Sequence, residues 1–182
     1  MPVLKLMRVH KNIKEQYARI PDAVKAFLFR AVLLIIVWKA LYLLILKPAN
    51  IPDAFMCQFF SRITAQTMSL FYPDCFAKGI TVYVAGRPTL NILPGCNGLE
   101  LIILYIGFLL CLPTTLKRMA NFIVWGGISI LILNYIRFVV LAYMTVQKMA
   151  LTHFLHLYVF TLIVYGYIFL LWRQYTKKYG WK

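Results

Sequence analysis

Three apolar runs, Ala26–Leu46, Ala120–Tyr143 and His153–Trp172, are each long enough to cross a lipid bilayer as a helix. A hydrocarbon core of about 30 Å needs about 20 consecutive apolar residues. A soluble fold of 182 residues has no interior large enough to hide three such runs. Hydrophobic residues make up 62% of the chain, against roughly 45–50% in soluble domains. That excess excludes a cytosolic enzyme, a disordered chain and a disulfide-stapled secreted domain. The sequence therefore reads as an integral membrane protein. A fourth run, Gly98–Leu112, has 15 residues and covers only about 22 Å at 1.5 Å per residue. It spans only by extending through 113–118 or by drawing its ends into the membrane.

The formal charge of +15 does not point to nucleic acid. The basic residues sit mostly at the ends of the apolar runs, where they encode orientation. Lys5, Arg8, Lys11, Lys14, Arg19 and Lys25 precede the first run. Lys117 and Arg118 lie between the fourth run and Ala120. Arg173, Lys177, Lys178 and Lys182 follow the last run. Four spans place all three groups on one side, so both termini are expected in the cytoplasm. The first 25 residues lack the short apolar core of a cleavable leader. Residues 1–25 are expected to be a basic cytoplasmic segment, 26–172 the membrane domain and 173–182 a basic cytoplasmic tail.

Ala54–Tyr72 is long enough to cross, yet Gln58, Arg62 and Gln66 recur every four residues and make a polar stripe. Crossing would also send Lys117, Arg118 and the tail to the outside. This segment is expected to be an amphipathic, interfacial or re-entrant helix between Pro52 and Pro73. Residues 80–93 switch to a period of two, with Ile80, Val82 and Val84 before Gly86-Arg87-Pro88 and Leu90 and Ile92 after it. They read as a small extracytoplasmic β-hairpin. The expected fold is an all-α integral membrane bundle of four to five transmembrane helices, with that amphipathic helix and that hairpin.

Ionisable groups inside spans are costly and tend to face inward. Cys96 stands between Gly95 and Gly98 at the outer start of the Gly98–Leu112 span. Arg137 lies near the outer end of the Ala120–Tyr143 span, with Asn134 one turn earlier. His153 and His156 open the His153–Trp172 span and share a helix face. Glu100 lies one turn beyond Cys96, either as a structural partner of Arg137 or a histidine, or as an orienter of a histidine. The span order brings Cys96, Arg137 and the histidines to one membrane depth. Each has a plain reading as well: a small packing residue, a snorkelling arginine, packing histidines. Taken together they fit nucleophilic acyl transfer. A thiol is only a few per cent ionised at neutral pH, and a neighbouring cation favours the thiolate. Arginine stabilises an oxyanion, and histidine protonates a leaving amine.

These residues resemble a known family. Pro94-Gly95-Cys96-Asn97-Gly98-Leu99 before an apolar span is similar to the cysteine motif of exosortases and archaeosortases. Asn134-Tyr135-Ile136-Arg137 resembles their Asn-x-x-Arg motif, and His156 their histidine. The resemblance covers roughly 80–170 and is to compact bacterial members. It implies a membrane cysteine protease or transpeptidase in the cell (inner) membrane, with its active site on the extracytoplasmic side. The implied partners are surface proteins whose C-terminal sorting signal carries a transmembrane helix. An envelope lipid or polysaccharide serves as acceptor. Cys96 would form the thioester, Arg137 would stabilise the anionic intermediate and His156 would act as acid or base. Asn97 departs from the small residue expected after the cysteine. The glycine expected after the histidine is absent, since Phe160 follows His156, so His153 stays a rival for its role.

No cofactor or metal is expected. His153 and His156 alone are too few ligands for a zinc site. A non-enzymatic envelope scaffold, held together by internal polar pairs, is the second reading. A quinone-linked thiol oxidoreductase lacks a Cys-x-x-Cys pair, and a transporter lacks an inverted repeat.

Overall fold

The computed structural model describes residues 21–112 and 114–177. The expected basic segment before Lys25 thus falls largely outside the described residues, as do Lys178 and Lys182 of the tail. The chain is mostly helical. Helix α1 (Asp22–Leu41) continues through a π-turn, Tyr42–Leu46, and a last turn, Lys47–Ala49. Asn50 ends it in the left-handed conformation, φ 54°. Helix α2 (Asp53–Met68) follows, then strands β1 (Phe76–Lys78), β2 (Thr81–Val84) and β3 (Arg87–Asn91). A 3₁₀ turn, Pro94–Cys96, leads into α3 (Leu99–Cys111). Helix α4 (Leu116–Val146) is the longest, and a turn at Thr152–Phe154 with a π-turn at Leu155–Val159 runs into α5 (Phe160–Lys177).

Among the described residues, two helical stretches are long and apolar enough to cross a membrane. Val24–Ala49 has a mean hydropathy of 2.2, and Leu116–Val146 one of 1.9. The apolar window of the first is not buried at all within the protein. Leu33, Ile36, Val37 and Leu44 all face outward. An apolar surface of this extent is stable only against lipid or another apolar partner. Helix α3 is apolar but has only 13 residues, as the short fourth run requires.

Helix α2 is amphipathic, as its stripe indicates. Gln58, Arg62 and Gln66 are exposed, while Cys57, Phe60, Ser61, Thr64 and Met68 are buried on the other face. That buried face packs with Val82, Val84 and Ile92 from the sheet region and with Phe138 and Ala142 from α4. Ser61 Oγ also donates to the Gly79 carbonyl at 2.7 Å. A second core, with Tyr105, Leu109, Ile130, Val164 and Ile168, lies between α3, α4 and α5.

The expected hairpin is the β2–β3 pair of a three-stranded antiparallel sheet, ordered β1-β2-β3. The fold is therefore not purely α. Strand β1 has three residues and pairs Phe76 with Tyr83. The β2–β3 turn is Ala85-Gly86, not Gly86-Arg87-Pro88, and both its residues have positive φ. That is the turn geometry that follows strand twist. Arg87 and Pro88 are strand residues.

One close helix crossing carries a prediction. A Cβ on Gly126 of α4 would collide with the Tyr105 ring and hydroxyl. That hydroxyl donates to the Phe122 carbonyl at 2.8 Å. Gly126→Ala must displace a fully buried tyrosine and is expected to cost about 1–3 kcal/mol. The check is a lower unfolding temperature in detergent than the wild type, whereas Gly127→Ala, with open space around it, leaves that temperature unchanged.

Candidate active site

Cys96 ends the 3₁₀ turn Pro94–Cys96, and its backbone N–H donates to the Leu93 carbonyl at 2.8 Å. Proline pre-sets φ for such a turn. Gly98 then takes φ 87°, which only glycine adopts at low cost. Its missing side chain matters too, because a Cβ there would stand 3.0 Å from Asn134 Nδ2. The turn therefore lies tight against α4. Asn134 is fully buried and its Nδ2 donates to the Cys96 carbonyl at 3.2 Å.

The half-buried Cys96 side chain lines two cavities. One, of about 480 Å³, also meets Phe138, Leu141, Lys148 and His156. The other, of about 170 Å³, also meets Gly98, Glu100, Arg137 and Tyr165. Arg137 and His156 are joined directly, with Nη2 and Nδ1 at 3.3 Å. A guanidinium can only donate, so Nδ1 accepts and the ring proton is left on Nε2. Arg137 Nε is buried and has no acceptor among the described residues. Asn134 Oδ1 is likewise buried and without a partner among them. The site thus holds a thiol, a cation with a spare donor, and an imidazole whose tautomer that cation sets.

Cys96, Asn134, Arg137 and His156 come from different parts of the chain and are brought together. Glu100 is placed differently from either expectation. Its Oε1 accepts from Lys39 Nζ of α1 at 2.6 Å, and both side chains are about half exposed, at 54% and 53%. Among the described residues its ion-pair partner is thus Lys39 rather than Arg137, although Glu100 and Arg137 line the same cavity. The backbone of His153 lies on the turn Thr152–Phe154, but its side chain is outside the described residues.

Sequence reasoning missed a buried polar group beside Cys96. Asp53, at the start of α2, is 3% exposed, and Asn97 is 1% exposed. Asn97 Nδ2 donates to Asp53 Oδ1 at 2.6 Å. Tyr42 of the α1 π-turn donates to Asp53 Oδ2 at 2.7 Å. Asn97 Oδ1 accepts the Leu99 N–H at 2.9 Å, an Asx turn just before α3. One signal was present: the chain has only five acidic residues, so any carboxylate beside an apolar run calls for a partner.

A search of the curated proteins and one of the solved structures returned no significant match. The family model described as transmembrane exosortase matches residues 20–173. That span takes in every helix and strand described above except the last turn of α5. The chain belongs to the transmembrane exosortase family, whose members are membrane cysteine peptidases and transpeptidases.

Proposed function

We propose that the protein cleaves the C-terminal sorting signals of surface proteins through a Cys96 thioester and transfers them to an envelope acceptor. The observation that carries this reading is the meeting of two cavities at Cys96, one reaching His156 and the other Arg137, with the arginine bonded to the histidine. Cys96 gives its thiol proton to His156 and attacks the scissile carbonyl as thiolate. The oxyanion that forms accepts from the Arg137 guanidinium, whose buried Nε–H has no acceptor among the described residues. The C–N bond breaks and the His156 imidazolium gives one proton to the leaving amine, returning to the neutral ring. An acceptor hydroxyl or amine then gives its proton to that ring and attacks the thioester. The C–S bond breaks and the Cys96 thiolate is restored.

The proposed topology has four membrane crossings in the cell membrane. Both termini face the cytoplasm and the sheet and Cys96 face outward. Residues 26–172 form the catalytic membrane domain. The substrate's own transmembrane helix packs beside the bundle.

The test uses purified protein in lipid nanodiscs, a candidate sorting-signal protein and added hydroxylamine. Acyl transfer predicts a released protein ending in a hydroxamate. Release of a free carboxylate alone, with no hydroxamate at high hydroxylamine, contradicts transfer. No cleavage of any sorting-signal protein encoded near this chain returns the function to the scaffold reading.

A further inference from the structure

The residue after Cys96 is held by more than its own Asx turn. Three distant parts of the chain converge on the Asp53 carboxylate: the α1 π-turn through Tyr42, the start of α2 through Asp53 itself, and the Cys96 turn through Asn97. Each carboxylate oxygen has one donor, at 2.7 and 2.6 Å. Both ends of the Asn97 amide are used, so its orientation is defined by opposite partners, a carboxylate and an N–H. From the other side, Asn134 holds the Cys96 carbonyl. The 96–97 peptide is thereby gripped between α2 and α4, while the Cys96 side chain is left facing the two cavities. Two side chains as polar as Asp53 and Asn97 are rarely this buried. The arrangement exceeds what an Asx turn needs, since the Asn97 oxygen alone closes that turn.

We propose that Tyr42, Asp53 and Asn97 form a positioning relay that sets the aim of the Cys96 thiol. The inference rests on Cys96 being the reacting thiol. None of the three touches the substrate. They act through the backbone of the Cys96 turn, tying it to α1 and α2. A carboxylate offers two acceptor sites toward these donors, and an amide offers one acceptor and one donor. Asp53→Asn keeps both contacts and loses only the charge, because its amide oxygen accepts from Asn97 and its amide nitrogen donates to the Tyr42 hydroxyl, which accepts as well as donates. Asn97→Asp sets two carboxylates against each other. The double exchange Asp53→Asn/Asn97→Asp restores every bond. Tyr42 donates to the amide oxygen of residue 53, the amide nitrogen of residue 53 donates to residue 97, and the Leu99 N–H keeps its acceptor.

The test measures two things on full-length protein in nanodiscs. One is the rate at which N-ethylmaleimide modifies Cys96, followed on the Cys96 peptide by mass. The other is kcat and KM for a sorting-signal substrate. Asn97→Asp is expected to change the labelling rate and to lower kcat by about 10-fold or more with KM little altered, because misplacing a reacting atom is that costly, whereas Asp53→Asn is expected to stay within about 3-fold of wild type. The double exchange is expected to return both to within about 3-fold of wild type. Tyr42→Phe, which keeps the Asn97 arm, is expected to fall between and serves where a single exchange does not accumulate. An Asn97→Asp variant that labels and turns over like wild type overturns the relay, as does a well-accumulated double exchange no better than Asn97→Asp alone. The labelling readout needs no substrate. A relay seen by labelling in a protein that cleaves nothing would sink the proposed function and leave the relay standing.

Discussion

Cys96→Ala is expected to reduce cleavage of a sorting-signal protein by about 10³-fold or more, to the uncatalysed background. Without the sulfur no thioester can form, and neither Arg137 nor His156 can replace it as nucleophile. Cys96 is half-buried and its neighbours are held through its backbone. The alanine variant should therefore accumulate in the membrane and unfold at the wild-type temperature, within about 0.5 kcal/mol. Cys96→Ser keeps the shape but presents a hydroxyl, which resists ionisation far more strongly than a thiol, and is expected to be similarly inactive. Quantitative immunoblots of substrate and enzyme from the same membranes read both quantities. Full cleavage by the alanine variant contradicts the mechanism.

Arg137→Ala is expected to lower kcat by about 10²–10³-fold, the usual effect of losing an oxyanion donor. Two functions are lost at once. The developing oxyanion loses its cation, and His156 Nδ1 loses the donor that holds the ring proton on Nε2. Arg137→Lys restores charge but not the planar fork. A single ammonium cannot serve Nδ1 and a substrate oxygen with the same geometry, so the lysine variant should recover only a minor part of the rate. The losses for Arg137→Ala and His156→Ala should not add, because the two side chains act as one hydrogen-bonded unit. Single-turnover rates per molecule of accumulated enzyme check this. A purely structural arginine predicts the opposite pattern, with low abundance and an unchanged rate per molecule.

The legible parts of this chain were those with strong periods or strong costs. The apolar runs at Ala26–Leu46 and Ala120–Tyr143 fall within long helices because burying that much apolar surface in 182 residues is impossible. The Gln58–Arg62–Gln66 stripe showed which face of α2 is exposed. Cys96, Asn134, Arg137 and His156 stood out as polar or reactive residues at the ends of apolar runs. Strand β1 did not stand out. Its three residues have too little alternation to read, and only pairing with β2 makes it a strand. The β-turn was displaced because Ala85 adopts a positive φ that its residue type disfavours. The Glu100–Lys39 pair and the Asp53–Asn97 contact join residues far apart in sequence. Local spacing says nothing of such partners, and only the fold supplies them.

The central claim is that Cys96 carries the acyl group. The most direct measurement is the intact mass and peptide map of the purified protein after brief mixing with a sorting-signal protein and acid quenching. The expected result is an adduct on Cys96 equal to the acyl fragment of the substrate, removed by hydroxylamine and absent from Cys96→Ala. An unmodified Cys96 in samples where the substrate has been cleaved, and cleaved equally by the alanine variant, would contradict it.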